Sequence, residues 1–218
     1  VEAPVEGLDA RALREGARQS ETGSAAGEVE MKRAIDEAQQ AGDTLGGIFE
    51  VVVPGLPVGL GSCMAPDRRL DARLAMAILS VPAVKGCEFG PAFANAARRG
   101  SEVHDEIEPG GARSSNRAGG LEGGMTTGEP LRVRGAMKPI STLRTRLSSI
   151  DMDSGEAREA GFERSDTCAV PAAGVVGEAA VALVLADALL ESFGADDVAA
   201  IRAAIERRAA EVLRRLNP

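Results

Sequence analysis

The sequence predicts an α+β fold, and three observations carry that expectation. Gly47-Ile-Phe-Glu-Val-Val-Val53 is dominated by β-branched residues and stops at Pro54-Gly55, which reads as a strand. Leu131-Arg-Val-Arg-Gly-Ala-Met137 alternates, the period of a strand with one buried face. Apolar residues recur at helical spacing in four other stretches, two of them filling the last part of the chain.

In chain order, residues 1–27 are polar and carry Pro4, Gly7, Gly16, Gly23 and Gly27, so they are expected to form a poorly ordered lead-in. Residues 28–218 then read as part of a single domain. The first helix is expected over 28–41, with Val29, Met31, Ala34, Ile35 and Ala38 spaced for one face and Gly42-Asp43 ending it. After the first strand, 67–79 places Leu70, Leu74, Ala77 and Ile78 at helical spacing, and Pro82 stops it. Val84–Phe89 is a short strand. The stretch 108–128 is dense in Gly and Ser and reads as a long loop followed by glycine-rich turns, a kind of segment that is often functional. Residues 143–161 are irregular. A largely apolar helix is expected over 172–192, stopped by Gly194, and an amphipathic one over 196–216 with Val198, Ile201, Ile205, Val212 and Leu216 on one stripe. The apolar run 171–190 is long enough to be tested as a membrane span. Glu178 and Asp187 interrupt it, and its Ala and Gly content favours a buried core helix.

Composition narrows the function. The chain has 218 residues, enough for a sizeable core, and its 44% hydrophobic and 27% charged residues are those of a globular protein. A net charge of −8 invites no nucleic acid, so an anionic ligand needs a local cluster of Arg and Lys. With 2% aromatic residues and neither Trp nor Tyr, a base-stacking surface is not expected. Cys63, Cys87 and Cys168 are far apart and His104 is the only histidine, so no metal site is expected. Sparse thiols suit a reducing compartment, most simply the cytoplasm. No basic start followed by an apolar run suggests a signal peptide.

Three segments carry residues suited to chemistry. Arg113-Ser-Ser-Asn-Arg117 precedes Gly119, Gly120, Gly123, Gly124 and Gly128, which could expose backbone N–H donors to a ligand or simply make turns. Lys138-Pro-Ile-Ser-Thr142 places a cation and two hydroxyls at a strand end, either an anion clamp or a solvated loop start. Arg164-Ser-Asp166 precedes the apolar helix, and its two charges could act on a ligand or pair with each other.

Together with Gly42-Asp-Thr-Leu-Gly-Gly47, Gly59-Leu-Gly-Ser62, Asp67-Arg-Arg-Leu-Asp71, Val84-Lys-Gly86, His104-Asp-Glu106, Asn116-Arg-Ala-Gly-Gly120, Gly123-Gly-Met-Thr126 and Met137-Lys-Pro-Ile-Ser-Thr142, these segments resemble the carboxy-terminal part of the chorismate synthase family. The motifs follow the family's order over nearly the whole chain after residue 28. The resemblance implies a β-α-β sandwich, incomplete here, in a homotetramer that binds reduced FMN and a phosphorylated small-molecule substrate. The implied reaction is elimination of phosphate from 5-enolpyruvylshikimate 3-phosphate to give chorismate, a step of aromatic amino acid biosynthesis. NADPH or a separate reductase would be the electron source, and neither nucleic acid nor membrane is implied as a partner.

Carried over by position, Pro82, Ala83, Gly123, Lys138, Pro139, Ile140, Ser141, Thr142 and Arg164 match the family's FMN contacts. Arg164 would also lie near the substrate, and Asp166 matches the acid–base residue that assists deprotonation at flavin N5. The family's amino-terminal Gly-Glu-Ser-His-Gly and Gly-His-Ala-Asp motifs are absent, and His104 matches a different segment. The chain is therefore expected to be a fragment with little or no turnover alone, or else a non-catalytic binding or assembly module on the same fold.

Overall fold

The computed structural model describes residues 25–194 and 196–216. In order, these form helix α1 (Ala25–Ala41), strand β1 (Gly47–Val53), a 3-10 turn (Pro66–Arg68), α2 (Leu70–Leu79), β2 (Val84–Phe89), α3 (Ala92–Ala96), α4 (Gly100–Val103), β3 (Leu121–Glu122), β4 (Met125–Thr126), β5 (Leu131–Met137), β6 (Ser148–Ile150), β7 (Ala157–Glu159), α5 (Val170–Phe193) and α6 (Val198–Leu216). The class is α+β. The sheets are β1-β5-β2, the hairpin β3-β4 and the hairpin β6-β7. The chain divides into two compact units. One holds the described residues up to Gly47 with Met137–Ala173, and the other holds Ile48–Ala136 with the residues from Gly174 onward.

The second unit holds the three-stranded sheet and most of the core. Leu60, Leu70, Leu74, Ile78, Leu131, Val133 and Val181 are almost wholly excluded from solvent. Burying each such side chain is worth about 1.5–3 kcal/mol. Leu70, Leu74 and Ile78 are the inner face of α2, as their spacing predicts. On β5 the alternation is realised residue by residue: Leu131, Val133, Gly135 and Met137 are buried, while Arg132 and Arg134 are partly exposed. The two arginines pair across the strands, Arg132 with Glu50 at 3.0 Å and Arg134 with Glu88 at 3.1 Å. The Phe49 ring lies against two glycines. A Cβ at Gly135 would lie 2.4 Å from its Cζ, and one at Gly177 2.6 Å from its Cε2. Arg73 on α2 pairs with Asp187 and, at 3.0 Å, with Glu191, tying α2 to α5.

Several expectations change. Residues 143–161 are not irregular throughout: they contain the β6-β7 hairpin, with Ser148 opposite Glu159 and Ile150 opposite Ala157. Its strands have three residues each and are exposed, so no apolar alternation marks them. Its turn is built instead on Asp151, which accepts from the N–H groups of Asp153 and Ser154 at 3.0 and 3.1 Å. The glycine-rich stretch likewise contains a hairpin, β3-β4. The apolar helix is buried on one face only. Ala173, Val181, Leu185 and Ala188 are inside, whereas Leu183 is 74% and Val175 68% exposed. None of the stripe on α6 is fully buried. Of the lead-in expected at 1–27, residues 1–24 lie outside the described residues, and 25–27 already belong to α1.

Candidate functional site

The first unit gathers three of the segments singled out in the sequence. Helix α1 ends where Gly42 turns left-handed (φ 70°), with its N–H bonded to the Gln39 carbonyl at 3.2 Å. The chain then runs extended through residues 43–46, and this short stretch touches both neighbouring loops. Thr44 is buried, and its hydroxyl donates to the Ile140 carbonyl at 2.6 Å. A Cβ at Gly46 would sit 2.3 Å from the Met137 carbonyl oxygen and 2.9 Å from Lys138 C and Pro139 N, so only glycine admits that loop so closely. The Gly42 carbonyl accepts from the N–H groups of Arg144 and Thr145, both at 3.1 Å. On the other side, the Leu45 N–H donates to the Thr167 carbonyl at 2.8 Å, and Leu45 bridges Cys168 in parallel.

The Lys138–Thr142 and Arg164–Asp166 segments are thereby held beside one another. Thr142 and Ser165 exchange bonds: the Thr142 hydroxyl donates to Ser165 Oγ at 2.8 Å, and Ser165 Oγ donates to the Thr142 carbonyl at 3.2 Å. Thr142, Arg164 and Asp166 line one small cleft with Asp43, Thr44, Arg144 and Phe162. Its volume of about 60 Å³ holds only a few water molecules. Arg164 and Asp166 do not pair with each other, and Lys138, Arg164 and Asp166 form no hydrogen bond or ion pair with any described residue. Lys138, Pro139, Ser141, Arg164 and Asp166 are exposed, whereas Ile140 and Thr142 are half-buried.

Pro82, Ala83 and Gly123 belong to the second unit. Pro82 and Ala83 form the turn between α2 and β2, closed by the Val84 N–H to the Val81 carbonyl at 3.1 Å. Ala83 has φ 67°, the one non-glycine residue with positive φ among those described. Holding a Cβ in that region costs about 1–2 kcal/mol, and such strain tends to cluster where a backbone meets a ligand. Gly123 and Gly124 form the two-residue turn of the β3-β4 hairpin, at φ 59° and 82°. A Cβ at Gly123 would meet nothing within 4 Å, whereas Gly124 packs on the Ser62 carbonyl and the Arg69 side chain.

The rest of the glycine-rich stretch is braced internally. Asp105, only 8% exposed, accepts from the Ser115 hydroxyl (2.5 Å) and from the N–H groups of Arg117 (2.7 Å) and Ala118 (2.9 Å). Burial pushes its pKa up, but the Ser115 hydroxyl, the Ala118 and Arg117 N–H groups and the Arg113 charge together outweigh burial and lower it. Asn116 accepts from the Gly120 N–H at 2.7 Å and donates to the Pro130 carbonyl at 2.8 Å. These N–H groups serve turns, so this stretch is architecture up to Gly120.

The cleft carries two guanidiniums, Arg144 and Arg164, beside the carboxylates of Asp43 and Asp166 and the hydroxyls of Thr44, Thr142, Ser165 and Thr167. Neither guanidinium pairs with a described residue, so both can meet a small anionic group, and Lys138 stands outside this lining. The sequence reading assigned no role to Thr44 or Gly46, the residues that back this site. Their signal lay in the Gly42–Gly47 motif, which records their kind but not what they touch.

Comparison with known proteins follows the same lines. The family model described as chorismate synthase matches residues 5–190, beginning well before residue 28. The chain is 58% identical over 194 residues to a chorismate synthase of Rhodococcus opacus (strain B4), which covers 88% of this chain and 49% of that protein. With a chorismate synthase of Frankia alni it shares 62% identity over 174 residues, 77% of this chain and 44% of that one. A crystal structure of chorismate synthase superposes with a TM-score of 0.73 at 40% identity, covering 94% of this chain and 55% of the other. The chain spans about half the length of the curated relatives it matches.

Proposed function

The chain belongs to the chorismate synthase family, and from that premise we propose that, within the full-length protein, it supplies part of the site that eliminates phosphate from 5-enolpyruvylshikimate 3-phosphate to give chorismate. The cleft's volume of about 60 Å³ is far below that of a flavin, so these residues form one wall, and the remainder of the full-length protein completes the pocket. The protein is read as a cytoplasmic homotetramer, with NADPH or a separate reductase as the source of electrons.

In this reading Lys138 and Arg164 anchor anionic oxygens of the flavin and of the substrate phosphate. In support, neither cation pairs with a described residue, which leaves both charges available to a phosphate. Ser141 and Thr142 add hydroxyl donors, and the Pro139–Ile140 backbone presents a fixed edge. Pro82, Ala83 and Gly123 contribute close backbone approaches. Reduced FMN, when bound, supplies transient electron density to the allylic system and recovers it, so the reaction has no net redox change. The Asp166 carboxylate would assist deprotonation at flavin N5, for which it must come within hydrogen-bond reach of that atom when the flavin is bound.

The observation that carries the proposal is the shared cleft of Thr142, Arg164 and Asp166, three residues from two segments that match the family's flavin motifs. The test is Asp166→Asn in the full-length protein. Turnover is expected to fall by roughly 10²–10⁴ with FMN affinity little changed. Parent-like turnover would remove Asp166 from the chemistry.

A further inference from the structure

We infer that Thr44 is a positioning residue for the flavin loop, acting through the Ile140 carbonyl; the inference rests on the reading of residues 138–142 as flavin contacts. Four observations converge on the same short stretch. Thr44 is 8% exposed, so its hydroxyl has few alternative partners, and the bond to Ile140 O is short at 2.6 Å. Ile140 lies 96 residues away in sequence, so the bond joins segments distant along the chain. Gly46, two residues on, lets the start of the same loop pack backbone to backbone. Leu45, between them, is bonded to Thr167, one residue past Asp166. Residues 44–46 therefore set the spacing between Lys138–Thr142 and Arg164–Asp166, with Thr44 as the side-chain contact in that arrangement.

The physical consequence is specific. With the Ile140 carbonyl tied back by Thr44, the loop presents one conformation and loses little freedom when a ligand binds. Without the hydroxyl, a half-buried carbonyl lacks its donor, and the loop is released to find another. Isosteric Thr44→Val removes the donor and keeps the volume, whereas Thr44→Ser keeps the donor and removes a methyl.

The experiment measures the FMN dissociation constant of the full-length protein at fixed ionic strength for the parent, Thr44→Val, Thr44→Ser and Lys138→Ala, with far-UV circular dichroism on each. Thr44→Val is expected to bind FMN about five- to tenfold more weakly with its secondary structure intact, and Thr44→Ser to bind within about twofold of the parent. If Thr44→Val does not fold, Thr44→Ala replaces it in the comparison with Thr44→Ser. Parent-like binding by the donor-less variant, or equal weakening in Thr44→Ser, would overturn the inference while weakened Lys138→Ala leaves the site reading standing. Parent-like binding by Lys138→Ala would overturn the site reading and this inference with it.

Discussion

At the scale of single residues, the site rests on charges that the fold leaves unpaired. Surface arginines and lysines of this kind are usually worth little when removed. Lys138 and Arg164 differ in the role proposed for them, where each makes a charge-assisted bond worth about 1.5–3 kcal/mol in a sheltered site. Lys138→Ala and Arg164→Ala in the full-length protein are therefore expected to weaken FMN or substrate binding about 10- to 100-fold. Arg164→Lys is also expected to be damaging, because a point charge cannot reproduce a planar fork. Titrations of both ligands at constant salt check this, and three parent-like variants would make these residues solvated bystanders. Asp105 carries a different expectation. Its pKa is lowered in the folded chain, so its contribution to stability is present above the ordinary aspartate value and is lost as pH falls through the lowered one. Denaturant midpoints are expected to drop on acidification below about pH 4. Asp105→Asn, which cannot accept all three bonds, is expected to cost about 1–3 kcal/mol at neutral pH and to flatten that acid decline. An unchanged midpoint at pH 7 would show that the three bonds contribute nothing net.

At the scale of elements, the sheet and α5 are fitted together by two glycines packed on Phe49. Gly177 sits inside a helix, where alanine would ordinarily be better by about 0.8–1.0 kcal/mol. Here its Cβ would lie 2.6 Å from a ring that is itself buried and also packs against Gly135. Gly177→Ala is therefore expected to destabilise by about 1–3 kcal/mol against its own propensity, and Gly135→Ala by a similar amount. Thermal unfolding reads both, and a Gly177→Ala variant more stable than the parent would show that the ring moves freely. The elements that sequence reading found, α1, β1, α2, β2, β5, α5 and α6, are the ones of six residues or more, long enough for a period to show. The β6-β7 hairpin escaped it because its strands are short and wet on both sides, so its pairing leaves no pattern in hydrophobicity.

At the scale of the whole molecule, the dominant feature is the apolar surface left uncovered on α5. This helix passes the length and hydropathy criteria for a membrane span, yet only 28% of its most apolar window is buried. Leu183, Val175 and Val176 face outward at 74%, 68% and 51% exposure. Exposed apolar area of this kind marks a surface meant to be covered. Since the curated relatives are about twice as long, the chain 1–218 alone is expected to bind an apolar dye and to self-associate, and a relative of full family length to do neither. Dye fluorescence and sedimentation of the two proteins test this; a dye-silent monomer of 1–218 would sink it.

Sequence alone determined the helices and strands of six residues or more, the α+β class and, through ordered motifs, the family. These features are legible because they depend on local periodicity and on residue identity at fixed spacing. Tertiary structure alone decided that Asp105 braces the glycine-rich stretch, that Phe49 needs Gly135 and Gly177, and that Thr44 reaches Ile140. It also decided that Arg164 and Asp166 form no ion pair with each other or with any other described residue. Each of these depends on groups distant along the chain, or on distances within it, and hydrogen bonds and steric contacts are set by separation in space, which a linear pattern does not encode.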